Sequence, residues 1–187
     1  MEGVIMNQEK AYFHHCLEVE ECTEGLIPRR FTEKQLTHWA SLGEVRSARA
    51  RATAGITICF TTSAPEIRFS YHVKCVCGEK MSFEMYEGNH LTRSVTIPSN
   101  TREGSVVFER LYCGEEGKAM PVTIYLPFTA ELALSHFEFG EDACPVPEEA
   151  RTRRILWLGD SIHRACMHHT HHRPLWPSCS AGSTQKS

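Results

Sequence analysis

The chain contains no apolar run long enough to cross a bilayer. Residues 1–10 hold no apolar core of the kind that directs export. Neither sign of charge dominates: the net charge is −3 and the isoelectric point about 6.4, which gives no basis for binding nucleic acid or an anionic membrane. No internal repeat and no low-complexity tract is present. These absences lead to the expectation of a cytoplasmic protein that meets neither nucleic acid nor membrane.

What is present is ordinary globular material. The 187 residues are 41% hydrophobic and 23% charged, enough for one packed domain or one domain and a fragment. Nine cysteines stand out: Cys16, Cys22, Cys59, Cys75, Cys77, Cys113, Cys144, Cys166 and Cys179. With no export signal they read as reduced thiols, and the apolar content supports a core without a disulfide scaffold.

Residues 1–30 are weakly patterned, with at most one short edge strand around Tyr12-Phe13 or Leu17-Glu18-Val19. Residues 31–42 predict a helix: Thr32 is placed to cap it, Leu36, Trp39 and Ala40 share a face, and Gly43 stops it. The basic run of residues 46–51 reads as a solvated connection. From Gly55 onward the period changes to two. Ile56, Ile58 and Phe60 alternate with polar residues, and Ile67, Phe69, Tyr71 and Val73 do so most clearly. Further strands are predicted at Phe83 and Met85, at Leu91, Val95 and Ile97, at residues 106–112, at Val122, Ile124 and Leu126, and at residues 132–139. Turn signals fall about every ten residues, and no helix is predicted among these strands. This is the pattern of a mainly β fold, an antiparallel β-sandwich or jelly roll, over residues 1–141. Residues 142–153, with Pro145 and Pro147, read as a linker.

Residues 154–162 (RILWLGDSI) are of another kind. Ile155, Leu156, Trp157 and Leu158 are apolar in succession, as in a strand buried on both faces. Gly159 allows a sharp turn, and Asp160 and Ser161 sit where a strand hands over to a helix, a place where a serine oxygen is exposed and backbone N–H groups converge.

This Gly-Asp-Ser-Ile block, after an apolar strand, a linker and a β-rich domain, resembles the first block of the SGNH, or GDSL-type, hydrolases. The order is similar to two-domain esterases in which an N-terminal jelly roll precedes the catalytic α/β domain, a pattern of carbohydrate esterases and related acyltransferases; Tyr125-Leu126-Pro127 also looks like that group. The resemblance implies that Ser161 is the nucleophile and supplies one oxyanion N–H, and that Asp160 orders the turn. It implies an acylated small molecule or carbohydrate as substrate, and no cofactor. It also implies an Asp-x-x-His pair and later glycine and asparagine oxyanion donors. After Ser161 the chain has neither aspartate nor asparagine, and His163 is too close to act as base from the same turn. Residues 154–162 are therefore expected to be only the first strand of an α/β domain, in a chain inactive as it stands.

Residues 163–187 do not continue the family pattern. Read one nucleotide earlier, their codons can restore Thr-Gln-Gly after Ile162, then the alanines and the Pro-Ser pair that the family has. A frame change just after Ile162 is the expectation, with residues 163–187 encoding no selected structure. On that reading His168, His169, His171 and His172 are not a metal site, and their spacing with Cys166 and Cys179 matches no closed zinc site. Cys75 and Cys77, on one face of a strand and with Cys113 in possible reach, read as buried free thiols. Trp39 can stack on a sugar or pack in the core, and its helical face favours the core. Tyr71 is read as core. Tyr86, Glu87, Asn89 and His90 are read as a solvated hairpin tip, and residues 151–154 as a polar lead into a strand. The alternative function is a non-catalytic carbohydrate-binding or interaction module, and a third reading makes the sandwich a platform for a catalytic domain. The oligomeric state is left open.

Overall fold

The computed structural model describes residues 9–111, 118–140 and 143–149. They build two antiparallel sheets. The first runs β1 (Phe13–His14), β4 (Thr57–Thr62), β9 (Met120–Tyr125), β6 (Lys80–Glu87) and β7 (His90–Pro98), with β11 (Val146–Pro147) also paired to β4. The second runs β2 (Glu18–Cys22), β3 (Gly25–Arg29), β10 (Ala130–Glu138), β5 (Glu66–Val76) and β8 (Glu103–Glu109). The mainly β, antiparallel expectation is what the chain forms.

Alternation makes the core. Ile67, Phe69, Tyr71 and Val73 of β5 are buried, while the residues between them face outward. Met81, Phe83 and Met85 do the same on β6, and Val122 and Ile124 on β9. The two inner faces meet through aromatic rings: Phe69 of the second sheet lies 5.6 Å from Phe83 of the first, and Tyr71 lies 5.9 Å from the same ring. Tyr12, Phe60, Phe137 and Phe139 close one part of this core, with Phe60 and Phe139 edge to face at 5.0 Å. Each fully buried Phe contributes about 1.5–3 kcal/mol relative to an exposed one.

Of the weakly patterned first thirty residues, the described ones, 9–30, form three short strands rather than one. Leu26 and Ile27 are both buried because β3 is an inner strand between β2 and β10. Gly25 begins β3 at φ +131°, where a side chain would also meet the backbone carbonyl of Leu134.

The predicted first helix is α1 (Glu33–Ser41). Thr32 caps it in a capping box: the Gln35 N–H donates to Thr32 Oγ1 at 3.3 Å, and the Thr32 N–H donates to Gln35 Oε1 at 2.9 Å. Its face is narrower than the spacing predicts. Leu36 is buried, but Trp39 is half-buried and Ala40 exposed. The basic run expected to be a connection is instead α2 (Glu44–Arg51). Ala48 and Ala50 favour helix, Arg49 and Arg51 sit in the last turn where cations meet the helix dipole, and small Ala50 lets α2 pack against β10 and β5. α2 thus covers the outer side of the second sheet, where Ala133 is fully buried.

Two further details differ from the sequence reading. Leu91, read as one of three apolar residues of a single strand with Val95 and Ile97, is 51% exposed. A bulge at Met85/Tyr86 shifts the β6–β7 register, so Leu91 pairs with outward Tyr86 while Val95 and Ile97 still oppose Phe83 and Met81. The linker is also not wholly free, since Val146 and Pro147 pair with Thr61 and Phe60 at the edge of β4.

Candidate functional site

Ser161 and Asp160 lie outside the described residues, as do the rest of residues 154–162, the histidine tract and Cys113. Their proposed roles therefore rest on the sequence block. What the described residues supply is the sandwich before it and three polar or aromatic arrangements on that sandwich.

The first arrangement closes one end of the core. β6 alternates inward through Met81, Phe83 and Met85, and the next inward position is Glu87. β8 alternates inward through Val106 and Phe108, and the next is Arg110. The two side chains are fully buried and paired, Arg110 Nε donating to Glu87 Oε1 at 2.8 Å. Arg110 Nη1 also donates to the carbonyls of Thr62 and Ala64, at 2.8 and 2.9 Å, and the Leu111 N–H donates to Glu87 Oε2 at 3.0 Å. The pair thereby ties the β4–β5 turn, the end of β6 and the exit of β8. Glu87 is not part of a solvated hairpin tip; its neighbours Asn89 and His90 are exposed. The signal that would have found it is the extension of two alternating inward rows into opposite charges.

The second arrangement lies on the outward positions of the first sheet. Thr57 and Cys59 are buried there, and His15 Nδ1 lies 3.0 Å from Thr57 Oγ1. The Cys59 thiol donates to the same Oγ1 at 3.3 Å. His15 adopts φ 61°, left-handed backbone that histidine tolerates better than most residues. Beside this cluster Tyr86 and Tyr125 stack edge to face at 5.4 Å. Burial, then the charge of Glu84 and then Tyr125, push the Tyr86 phenol up to about 12, so it is neutral at ordinary pH and acts as a hydrogen-bonding group.

The third is a groove of about 460 Å³ on α1, lined by Phe31, Lys34, Gln35, His38 and Trp39. Trp39 is therefore not a core residue.

No disulfide joins the described cysteines Cys16, Cys22, Cys59, Cys75, Cys77 and Cys144 to one another. Cys75 and Cys77 are half-buried rather than buried, and Cys77 lies beyond the end of β5, its N–H bonded to the Thr129 carbonyl at 2.7 Å. Burial, and secondarily Glu131, raises the Cys75 thiol, which keeps it protonated and poorly nucleophilic. Among the described residues no group of three or more His, Cys, Asp or Glu is arranged to hold a metal ion, and no helix is long and apolar enough to cross a membrane.

No family model matches the chain, and no curated protein matches its sequence. Solved structures do match. A salicylyl-acyltransferase from a tetracycline biosynthetic pathway is similar at 16% identity and a TM-score of 0.59, over 76% of this chain and 39% of that one. A Bacteroides ovatus protein described as GDSL-like lipase is similar at 17% identity and a TM-score of 0.47, over 65% of this chain and 37% of that one. The chain thus spans about two-fifths of the length of either. A match of 76% necessarily runs through the sandwich, and the likeness to the acyltransferase is one of fold.

Proposed function

We propose that the chain is the N-terminal part of an SGNH-type acyl hydrolase or acyltransferase. Residues 1–141 are its jelly-roll module, 142–153 its linker, and 154–162 the first strand and nucleophile turn of its catalytic domain. The observation that carries this reading is the Gly-Asp-Ser-Ile turn at residues 159–162, behind a sandwich whose fold is like part of a salicylyl-acyltransferase. The strand order supports the jelly roll: β3-β10-β5-β8 and β4-β9-β6-β7 are the two four-strand sheets that eight strands make when wound as a double Greek key.

In this reading Ser161 Oγ attacks the carbonyl of an O-acyl ester, on a small molecule or a carbohydrate. The alkoxy group leaves, an acyl-enzyme forms, and water or a second alcohol releases the acyl group. The Ser161 N–H stabilises the developing oxyanion and Asp160 orders the turn. The serine proton needs a base, and none of the Asp-x-x-His type follows in residues 163–187. The 187-residue chain is accordingly inactive, the frame changes after Ile162, and the protein acts in the cytoplasm.

The test is the transcript downstream of the Ile162 codon. The reading expects an Asp-x-x-His pair in the frame one nucleotide earlier, about one domain length further on. Stop codons soon after Ile162 in every frame would overturn it and favour a stand-alone module.

A further inference from the structure

We propose that the groove on α1 binds an acidic saccharide, a pyranose ring that carries a carboxylate. Helical spacing alone assigns Trp39 to a core, yet its ring stands half-buried beside Phe31 instead. The two ring centroids are 6.4 Å apart and the planes are tilted by 51°. Faces that diverge in this way cannot clamp a flat ring between them. They present two apolar surfaces to the axial C–H groups of a puckered one.

The polar lining suits the rest of such a ligand. Lys34 offers an ammonium and His38 an imidazole, both on exposed side chains. The Gln35 oxygen is occupied by the Thr32 cap, which leaves its amide N–H groups as the part that can meet a hydroxyl or carboxylate. No carboxylate lines the groove. Arg30 stacks its guanidinium over Phe31, 5.1 Å from the ring centroid, and is fixed there by bonds to the carbonyls of Ala52 and Arg49 at 3.0 Å. Two cations stand at the groove, Lys34 in its lining and Arg30 over Phe31, against the one carboxylate next to them in sequence, Glu33, in a chain whose net charge is −3. A neutral sugar would use the rings and leave this field unused, whereas a carboxylate on the ring uses both.

The site lies on α1, apart from Ser161 in sequence, and its function does not depend on ester chemistry. Titration of the 187-residue chain with methyl glucuronoside, methyl glucoside and benzoate, followed by saturation-transfer NMR of the ligand protons, tests it. The expected result is saturable glucuronoside binding, weaker glucoside binding and weaker benzoate binding. Trp39→Ala should lower glucuronoside affinity about 10-fold or more, as loss of a stacking ring does. Lys34→Gln should lower it about 3- to 5-fold, as expected for an exposed charge pair, and leave glucoside unchanged. Neither side chain lies in the core between the sheets, so both variants should stay folded, Trp39→Ala losing only the half-buried ring's contacts with Phe31 and His38. Absence of saturable glucuronoside binding would overturn the proposal, as would binding indifferent to Trp39→Ala. Benzoate binding as tightly as glucuronoside would do the same, since it would show a flat-anion site.

Discussion

Glu87 ends β6 and Arg110 directly follows β8, two strands of opposite sheets, and their charges meet at 2.8 Å with neither side chain exposed. Two charges taken from water at the end of an apolar core are tolerable only because each is compensated. Arg110 is held by the Thr62 and Ala64 carbonyls as well as by Glu87, and Glu87 by the Leu111 N–H. Removing one partner strands the other. Glu87→Gln or Arg110→Met is expected to cost about 3–5 kcal/mol in urea denaturation, and the double variant less than the sum of the two. Single losses below about 1 kcal/mol would contradict this account of the pair.

Cohesion between the sheets rests on the ring contacts of Phe69 and Tyr71 with Phe83. Phe83→Ala should destabilise by about 3–5 kcal/mol, because the rigid surroundings leave a cavity. Leu91→Ala, on the outward side of the β6–β7 bulge, should change stability by less than about 0.5 kcal/mol. Equal effects at the two sites, measured by the same denaturation curves, would mean that the bulge does not turn Leu91 outward.

Gly25 combines a left-handed backbone with close approach to the Leu134 carbonyl, so a methyl group is excluded on two counts. Gly25→Ala should lower the melting temperature far more than Gly88→Ala, where φ is also positive but nothing lies within 4 Å. Differential scanning fluorimetry of the two variants decides the ordering.

Alkaline pH should unfold the sandwich earlier than its lysines and arginines alone would. Burial, then the charges of Glu9 and Cys144, push the Tyr12 phenol up to about 12, burial chiefly raises Tyr86 to about 12, and burial raises Tyr71. The folded state therefore keeps phenol protons that the unfolded chain releases near pH 10, the ordinary tyrosine value. Stability from these groups is complete below pH 10 and is lost as pH rises from there toward 12. Absorbance titration at constant fold should show two tyrosines ionising near pH 12, and Tyr12→Phe should flatten the loss of stability between pH 10 and 12.

The alternation of residues 67–73 was legible because β5 is an inner strand with one face wholly apolar. The cap at Thr32 was legible because its chemistry is local. What was not legible depends on neighbours distant in the chain. Residues 46–51 look solvated until β10 and β5 receive Ala50. Glu87 looks like a turn residue until Arg110 arrives from another strand. Leu91 lies on the other face from Val95 and Ile97, because its own strand carries one extra residue, Thr92, against β6. Ser161 was legible as part of a motif, and residues 163–187 hold no Asp-x-x-His pair to go with it.

The central claim is that Ser161 is the nucleophile of an acyl-transferring enzyme to which this sandwich is the N-terminal module. Its most direct test is hydrolysis of p-nitrophenyl acetate by the protein extended from Ile162 in the frame one nucleotide earlier, beside the 187-residue chain. The account predicts turnover by the extended protein that Ser161→Ala lowers by about 10³-fold or more, and none by the 187-residue chain. Turnover by the extended protein unchanged in Ser161→Ala, or Ser161-dependent turnover by the 187-residue chain, would contradict it.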